Sequence, residues 1–186
     1  MKRKRLRPAH PPEELAKVYA TPHEHARWSD HRLRVAVTSA MASVLVGDGV
    51  RSAADLSCGD GAVLKAVPAG ARIFGDMAPG HELTGPIEET IELIPHVDLL
   101  VCTETLEHLD DPDAVLAAIR RKAGSLVLST PVDAWLDTNH EHYWAWSRAG
   151  VEEMLEAAGF RPMSYLGLDL TMHGSDHYEF GIWGCR

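Results

Sequence analysis

One short segment constrains this chain more than any other: Asp55-Leu56-Ser57-Cys58-Gly59-Asp60-Gly61. A small apolar run, Ala53–Leu56, stops at two glycines one residue apart, and a helical stretch, Gly61–Val67, follows. Glycines at a strand-to-helix turn let a ligand come close to the backbone, because no Cβ intervenes. The next strand-like run, Ala71–Gly75, ends at Asp76. An acid there can accept hydrogen bonds from both hydroxyls of a ribose. The chain therefore reads as an α/β fold built to hold a nucleoside-bearing ligand at the carboxyl ends of its strands.

The remaining pattern agrees. Helices are expected at Pro12–Ala20 and at Ser29–Val46, the second presenting Leu33, Val37, Ala40, Met41, Val44 and Leu45 as one apolar face. Glu82–Thr84 reads as a short strand before a helical Ile87–Leu93. Val97–Cys102 and Ser125–Ser129 are nearly continuous apolar runs, as strands buried on both faces require. Between them Asp111-Pro112 opens a helix through Arg121, with proline in the first turn. Ser147 caps a helix over Ala149–Ala158 that stops at Gly159. Pro162–Leu168 and His177–Trp183 close the chain as an antiparallel hairpin. This βα alternation predicts a mainly parallel sheet with helices on both faces. One domain over residues 1–186 is expected, with 12–50 forming N-terminal lid helices.

Composition narrows the function classes. Of 18 basic residues, Lys2, Arg3, Lys4, Arg5 and Arg7 fall in the first seven positions, while the whole chain carries a net charge of −9. So acidic a body repels a phosphate backbone and favours a small-molecule acceptor over long RNA. Residues 1–11 read as a solvated, disordered basic arm whose removal up to residue 7 leaves small-molecule turnover intact. No apolar run approaches the roughly 18 residues that cross a bilayer. Proline follows the basic stretch where a signal peptide needs its apolar region, and Cys58, Cys102 and Cys185 match no zinc spacing. A cytoplasmic location without membrane attachment is expected.

The dinucleotide fingerprint needs a third glycine where Leu64 stands, so a nicotinamide cofactor is disfavoured. The segment instead resembles motif I of the class I S-adenosylmethionine-dependent methyltransferases, acid-x-Gly-x-Gly-x-Gly. Asp55, Gly59 and Gly61 match, and Ser57 replaces the first glycine. The resemblance continues through Val97–Leu109 and through Val151–Phe160. It implies a Rossmann-like, seven-stranded sheet of order 3-2-1-4-5-7-6 with strand 7 antiparallel. It further implies S-adenosylmethionine as cofactor, its methionine part near Asp55, Ser57 and the Gly59–Gly61 turn. The ribose would lie on Asp76, the adenine between Met77 and Ile87, and the sulfonium side near Cys102 and Thr103.

A second constellation is Glu104-x-x-Glu107-His108, whose spacing puts three ligand-type side chains on one face of a helical turn. Carboxylates with imidazole suit Mg²⁺ or Mn²⁺. The pattern resembles that of the ubiquinone-biosynthesis O-methyltransferases and of the small-RNA 3′-terminal ribose 2′-O-methyltransferases. The latter carry a downstream acid-His-x-aromatic-x-Trp-Thr-Arg segment, which Glu141–Arg148 follows with Ser147 for threonine. That match nominates His142 over His140 as the fourth ligand, beside Glu104, Glu107 and His108. Two roles stay open for the pair His108 and His142, metal ligands or a lone general base, since neutral imidazole titrates near pH 6.5. His23, His25, His31 and Trp28 are expected on the lid over the pocket. The reading is methyl transfer to a hydroxyl of a small molecule. An RNA 3′-end ribose methyltransferase and an inactive, cofactor-binding partner subunit are the alternatives.

Overall fold

The computed structural model describes residues 1–25, 30–173 and 178–186. In chain order the elements are β1 (Arg3–Arg5), α1 (Pro12–Val18), α2 (His31–Val46), β2 (Val50–Asp55) and α3 (Ala62–Ala66). There follow β3 (Ala69–Asp76), β4 (Leu83–Thr84), α4 (Ile87–Leu93), β5 (Val97–Thr103), α5 (Pro112–Lys122) and β6 (Ala123–Val132). The chain closes with β7 (Trp144–Trp146), α6 (Arg148–Ala157), β8 (Pro162–Asp169) and β9 (Glu179–Cys185). Seven strands form one sheet in the order β4-β3-β2-β5-β6-β9-β8. All are parallel except β9, which runs antiparallel to both neighbours. This is the expected 3-2-1-4-5-7-6 order.

Strand alternation sorts the core into two layers. On β5, Leu100 and Cys102 pack with α4, α5 and α6, through residues such as Ile91, Leu116 and Leu155. Leu99 and Val101 point the other way, onto Met41 and Leu45 of α2 and Leu64 of α3. Both caps form as the sequence indicates: Asp111 accepts from Ala114 N–H at 3.0 Å and Ser147 from Gly150 N–H at 3.3 Å. β6 runs past Ser129 through Pro131, which a strand flanked on both sides would not tolerate. It can do so because β5 ends opposite Ser129, leaving residues 130–132 paired only to β9. Among the described residues no helix is long and apolar enough to cross a membrane.

Two expectations need correction. The buried stripe of α2 is Thr38, Met41, Ala42 and Leu45, a run of i, i+3, i+4, i+7, whereas Val44 is 77% exposed and Leu33 lies at the surface. The start of that helix at Ser29, and the residue His177 at the start of the last strand, lie outside the described residues. More consequentially, the basic segment is not a disordered arm. β1 pairs antiparallel with β7 in the register Arg3↔Trp146 to Arg5↔Trp144. Arg3 and Arg5 meet Asp113 and Asp110, and the Arg3 guanidinium sits 4.0 Å from the Trp144 ring. The acidic body that repels phosphate is what holds this segment down.

Candidate active site

A cavity of about 750 Å³ opens at the carboxyl ends of β2, β3, β5 and β6. Its first half is made largely of backbone. Gly59 and Gly61 adopt left-handed φ values of +54° and +70°, which glycine alone takes without strain. Gly61 N–H closes the turn onto Cys58 O at 2.7 Å, and Cys58 N–H donates to Gly75 O at 2.9 Å. Asp76 fixes the turn from the next strand, accepting from Gly59 N–H at 2.7 Å and from Ala78 N–H at 2.9 Å. A Cβ on Gly59 would stand 2.5 Å from Nε2 of His25, so a side chain there would push that ring aside. His81 Nε2 donates to Gly59 O at 2.7 Å, and His31 pairs with Asp60 at 2.9 Å.

Ser57, Gly59, Asp76, Met77 and Ile87 line this half, together with Leu15 of α1, Tyr19, His23, His25 and His31. The helices before β2 thus wall the cavity, although Trp28 lies outside the described residues. Three nominated residues are not at its surface. Asp55 is buried beneath the turn, where it accepts from Ser57 N–H at 3.2 Å, and burial pushes its carboxyl up to about 8. Gly61 faces the Phe74 ring rather than the cavity. Cys102, expected on the sulfonium side, is fully buried on the Leu100 face of β5, and its neighbour Thr103 reaches the cavity instead. Period-two alternation allows only one of the two residues to face the ligand.

The other half is built from side chains. Glu104, at φ +51°, holds the chain at the mouth of β5 by donating its N–H to Ser129 O at 2.9 Å. Ser57 and Thr105 join the two halves through their hydroxyls at 2.7 Å. A 3-10 turn, Leu106–His108, then brings Glu107 and His108 inward. Glu107 accepts from Thr130 Oγ1 at 2.9 Å through Oε2, while its Oε1 and Nδ1 of His108 are buried without a hydrogen-bond partner among the described residues. The loop after β6 supplies His142, whose Nδ1 donates to Asp137 at 2.6 Å. Asp137 also accepts from Tyr178 Oη at 3.0 Å. The His108 and His142 rings meet edge to face at 4.7 Å.

Glu107, His108 and His142 place one ligand atom each within 4.8 Å of one another. Glu104 is not in that group. Its carboxylate takes the Ser129 hydroxyl and lies 3.7 Å from Arg34, so three of the four nominated ligands converge and the fourth is engaged elsewhere. His140 is exposed and His142 buried, which separates the two histidines that spacing left as neighbours. Asp137 and Thr130 were missed. An acid five residues before a histidine is the signal for the first, and nothing in the sequence marks the second.

The electrostatics follow from burial and from these pairings. Burial, then the nearby Glu104 charge, lifts the Glu107 carboxyl to about 8. Burial, then His142, holds His108 down to about 3, a neutral imidazole at any physiological pH. For His142 burial also works downward, but the Asp137 hydrogen bond and the charges of Glu107, Asp137 and Glu104 outweigh it and raise its value. With Nδ1–H fixed on Asp137, its Nε2 lone pair is the one left for the cavity.

The profile of a family described as methyltransferase domain matches residues 23–165. None of the curated proteins matches this sequence. Among solved structures, a methyltransferase from Leishmania major superposes with a TM-score of 0.71 at 14% identity, covering 94% of this chain and 82% of its own. The 1,6-didemethyltoxoflavin N1-methyltransferase of Burkholderia thailandensis, solved with its substrate and S-adenosylhomocysteine, gives 0.66 at 17% identity, over 97% and 92%. The magnesium protoporphyrin IX methyltransferase of Synechocystis, with S-adenosylhomocysteine bound, gives 0.62 at 16%, over 83% and 84%.

Proposed function

The chain belongs to the methyltransferase-domain family, and we propose that it moves the methyl group of S-adenosylmethionine to a hydroxyl oxygen of a small molecule. The observation that carries the oxygen acceptor is the convergence of Glu107, His108 and His142, with Glu107 Oε1 and His108 Nδ1 buried without a partner among the described residues. A buried polar atom without a partner costs about 1–3 kcal/mol, so such atoms point to a ligand that satisfies them.

On this reading the Gly59 turn and Asp76 seat the cofactor, and the sulfonium faces Thr103 at the mouth of β5. Asp30, Asp60, Asp76, Glu88, Glu104, Glu107, Asp137 and Glu141 line the cavity, against Arg34 alone among its described lysines and arginines. That lining favours a cationic sulfonium and a neutral or cationic acceptor, and it works against a phosphate-bearing RNA end. The methyl is already activated, so the chain has to align the acceptor oxygen behind it and exclude water. As the O–C bond forms and the S–C bond breaks, S-adenosylhomocysteine leaves and the hydroxyl must lose its proton.

Two carboxylate-and-imidazole chemistries suit that proton. One carboxylate and two neutral imidazoles are an apt donor set for a divalent ion, with Asp137 orienting His142 from behind. A bound ion would act as a Lewis acid that lowers the acceptor's pKa. Alternatively His142 Nε2 takes the proton itself, and Asp137 stabilises the resulting imidazolium.

The test is transfer from methyl-labelled S-adenosylmethionine to a panel of phenols, catechols, aliphatic alcohols, amines and activated carbon acids, with Mn²⁺ or with EDTA. Labelled product that disappears with EDTA and returns with Mn²⁺ supports the ion. Product indifferent to EDTA, yet lost in His142→Ala, supports the histidine base. Label found only on nitrogen or carbon acceptors would sink the oxygen assignment. Tight binding of S-adenosylhomocysteine with no transfer to any acceptor would favour the inactive partner subunit.

A further inference from the structure

We infer that Arg7 is a positioning residue for the acceptor half of the cavity, acting through the loop that carries Asp137 and His142. The inference rests on the reading of that loop as the acceptor side. The Arg7 guanidinium donates through Nη1 to the carbonyl of Asn139 and through Nη2 to the carbonyl of Asp137. A planar fork can hold two carbonyls at a fixed separation, which an ammonium group cannot. With its main chain held in this way, Asp137 aims Oδ2 at His142 Nδ1, while its Oδ1 accepts from Tyr178 Oη and from the Asn139 N–H. The contact chain runs from Arg7 to the backbone at 137–139, then to the Asp137 carboxylate and the His142 ring.

Arg7 is itself held. Leu6 N–H donates to Tyr143 O at 2.8 Å, and Ser147 N–H donates to Lys2 O at 3.0 Å, so the segment brackets the loop on both sides of β7. An independent observation in the sequence supports a built-in strand. A Cβ on Gly150 would lie 1.9 Å from the Lys2 carbonyl oxygen, so α6 carries glycine where β1 passes. Seating this strand takes that gap, the ion pairs of Arg3 and Arg5, and the stacking on Trp144 together.

The experiment compares Arg7→Ala, Arg7→Lys and Gly150→Ala with the parent chain by amide hydrogen exchange, with calorimetry for S-adenosylhomocysteine and for Mn²⁺ alone. Gly150→Ala displaces β1 without altering any side chain of the loop. In Arg7→Ala the amides of 139–143 should exchange at least tenfold faster, with Arg7→Lys in between and β5 unchanged. S-adenosylhomocysteine should bind within twofold of the parent, while Mn²⁺ affinity falls about tenfold. Gly150→Ala should reproduce the loop effect. Unchanged exchange at 139–143 in folded Arg7→Ala would overturn the inference, and so would a uniform rise across β2, β5 and the loop. If the parent chain binds no Mn²⁺, the ion reading of the site fails, and the exchange data alone still decide the role of Arg7.

Discussion

The two halves of the cavity are built by different means. The half proposed for the cofactor is a backbone device, in which the amides and carbonyls of Gly59, Gly61 and Gly75 and one carboxylate, Asp76, set the shape. The half proposed for the acceptor is a side-chain device whose members, buried Glu107 and His142 and half-buried His108, have displaced proton affinities. A backbone cradle takes the invariant part of a reaction, because it offers a fixed set of hydrogen bonds. Buried ionisable groups suit the variable part, because their charge depends on what lies beside them. Substitutions should therefore separate the halves.

The largest expected effect is His142→Ala, which should lower methyl transfer about 10²–10⁴-fold, the range for a lost acid–base group. S-adenosylhomocysteine should bind it as it binds the parent chain. Equal losses in both assays would show that the halves are not separable. Next comes the mirror experiment, Asp76→Ala. Loss of a carboxylate that holds Gly59 N–H and would hold the ribose should weaken cofactor binding by about 1.5–3 kcal/mol, measured by calorimetry. Unchanged affinity in a folded variant would remove Asp76 from the cofactor side.

Asp137→Asn tests the residue that orients His142. Removing the partner that sets an imidazole's tautomer costs roughly 10–100-fold in activity or ion affinity. The effect should be smaller than that of His142→Ala and should show in kcat rather than in the KM for the cofactor. Deleting residues 1–7 belongs in the same range, through Arg7. It reverses what a disordered arm would imply, namely unchanged turnover.

These ranks also show where the sequence was legible. Both helix caps and the glycine turn are local patterns, each written within a dozen residues or fewer, whereas the strand order rests on the family resemblance. The pairing of Arg7 with 137–139, and the turning of Glu104 toward Ser129 and Arg34, depend on residues brought together only by the sheet. Spacing alone grouped Glu104 with Glu107 and His108, since it treats the segment as a regular helix. The chain instead kinks through the positive φ of Glu104 and re-enters as a 3-10 turn, which parts the first carboxylate from the other two side chains. Cys102 and Thr103 were both plausible at the strand mouth until pleat direction chose between them.

The smallest effect sharpens the comparison from the stability side. Asp55 moves from 3.8 to about 8 on folding, chiefly by desolvation. The folded chain then binds the extra proton, so this group's contribution is full below pH 3.8, declines as pH rises, and is gone above pH 8. Asp55→Asn keeps an oxygen for Ser57 N–H and removes that decline. It should raise the melting temperature at pH 9 by roughly 4–8 °C, about 2 kcal/mol, with little change near pH 4. Equal shifts at both pH values would mean that the carboxylate is not desolvated.

The passage of β1 over Gly150 has a consequence for how the molecule comes into being. Residues 50–103 contain the glycine turn and Asp76, with the hydrogen bonds between them, and they emerge from the ribosome as one stretch. β1 is made first, yet its partner strand ends at residue 146 and its seat at Gly150. At about 5–20 residues per second, the amino-terminal segment waits unpaired for roughly 7–30 s of synthesis. The nascent chain therefore has its glycine turn before it has the Glu107, His108 and His142 cluster, and residues 2–7 must meet residues 137–150 before that cluster's loop is held.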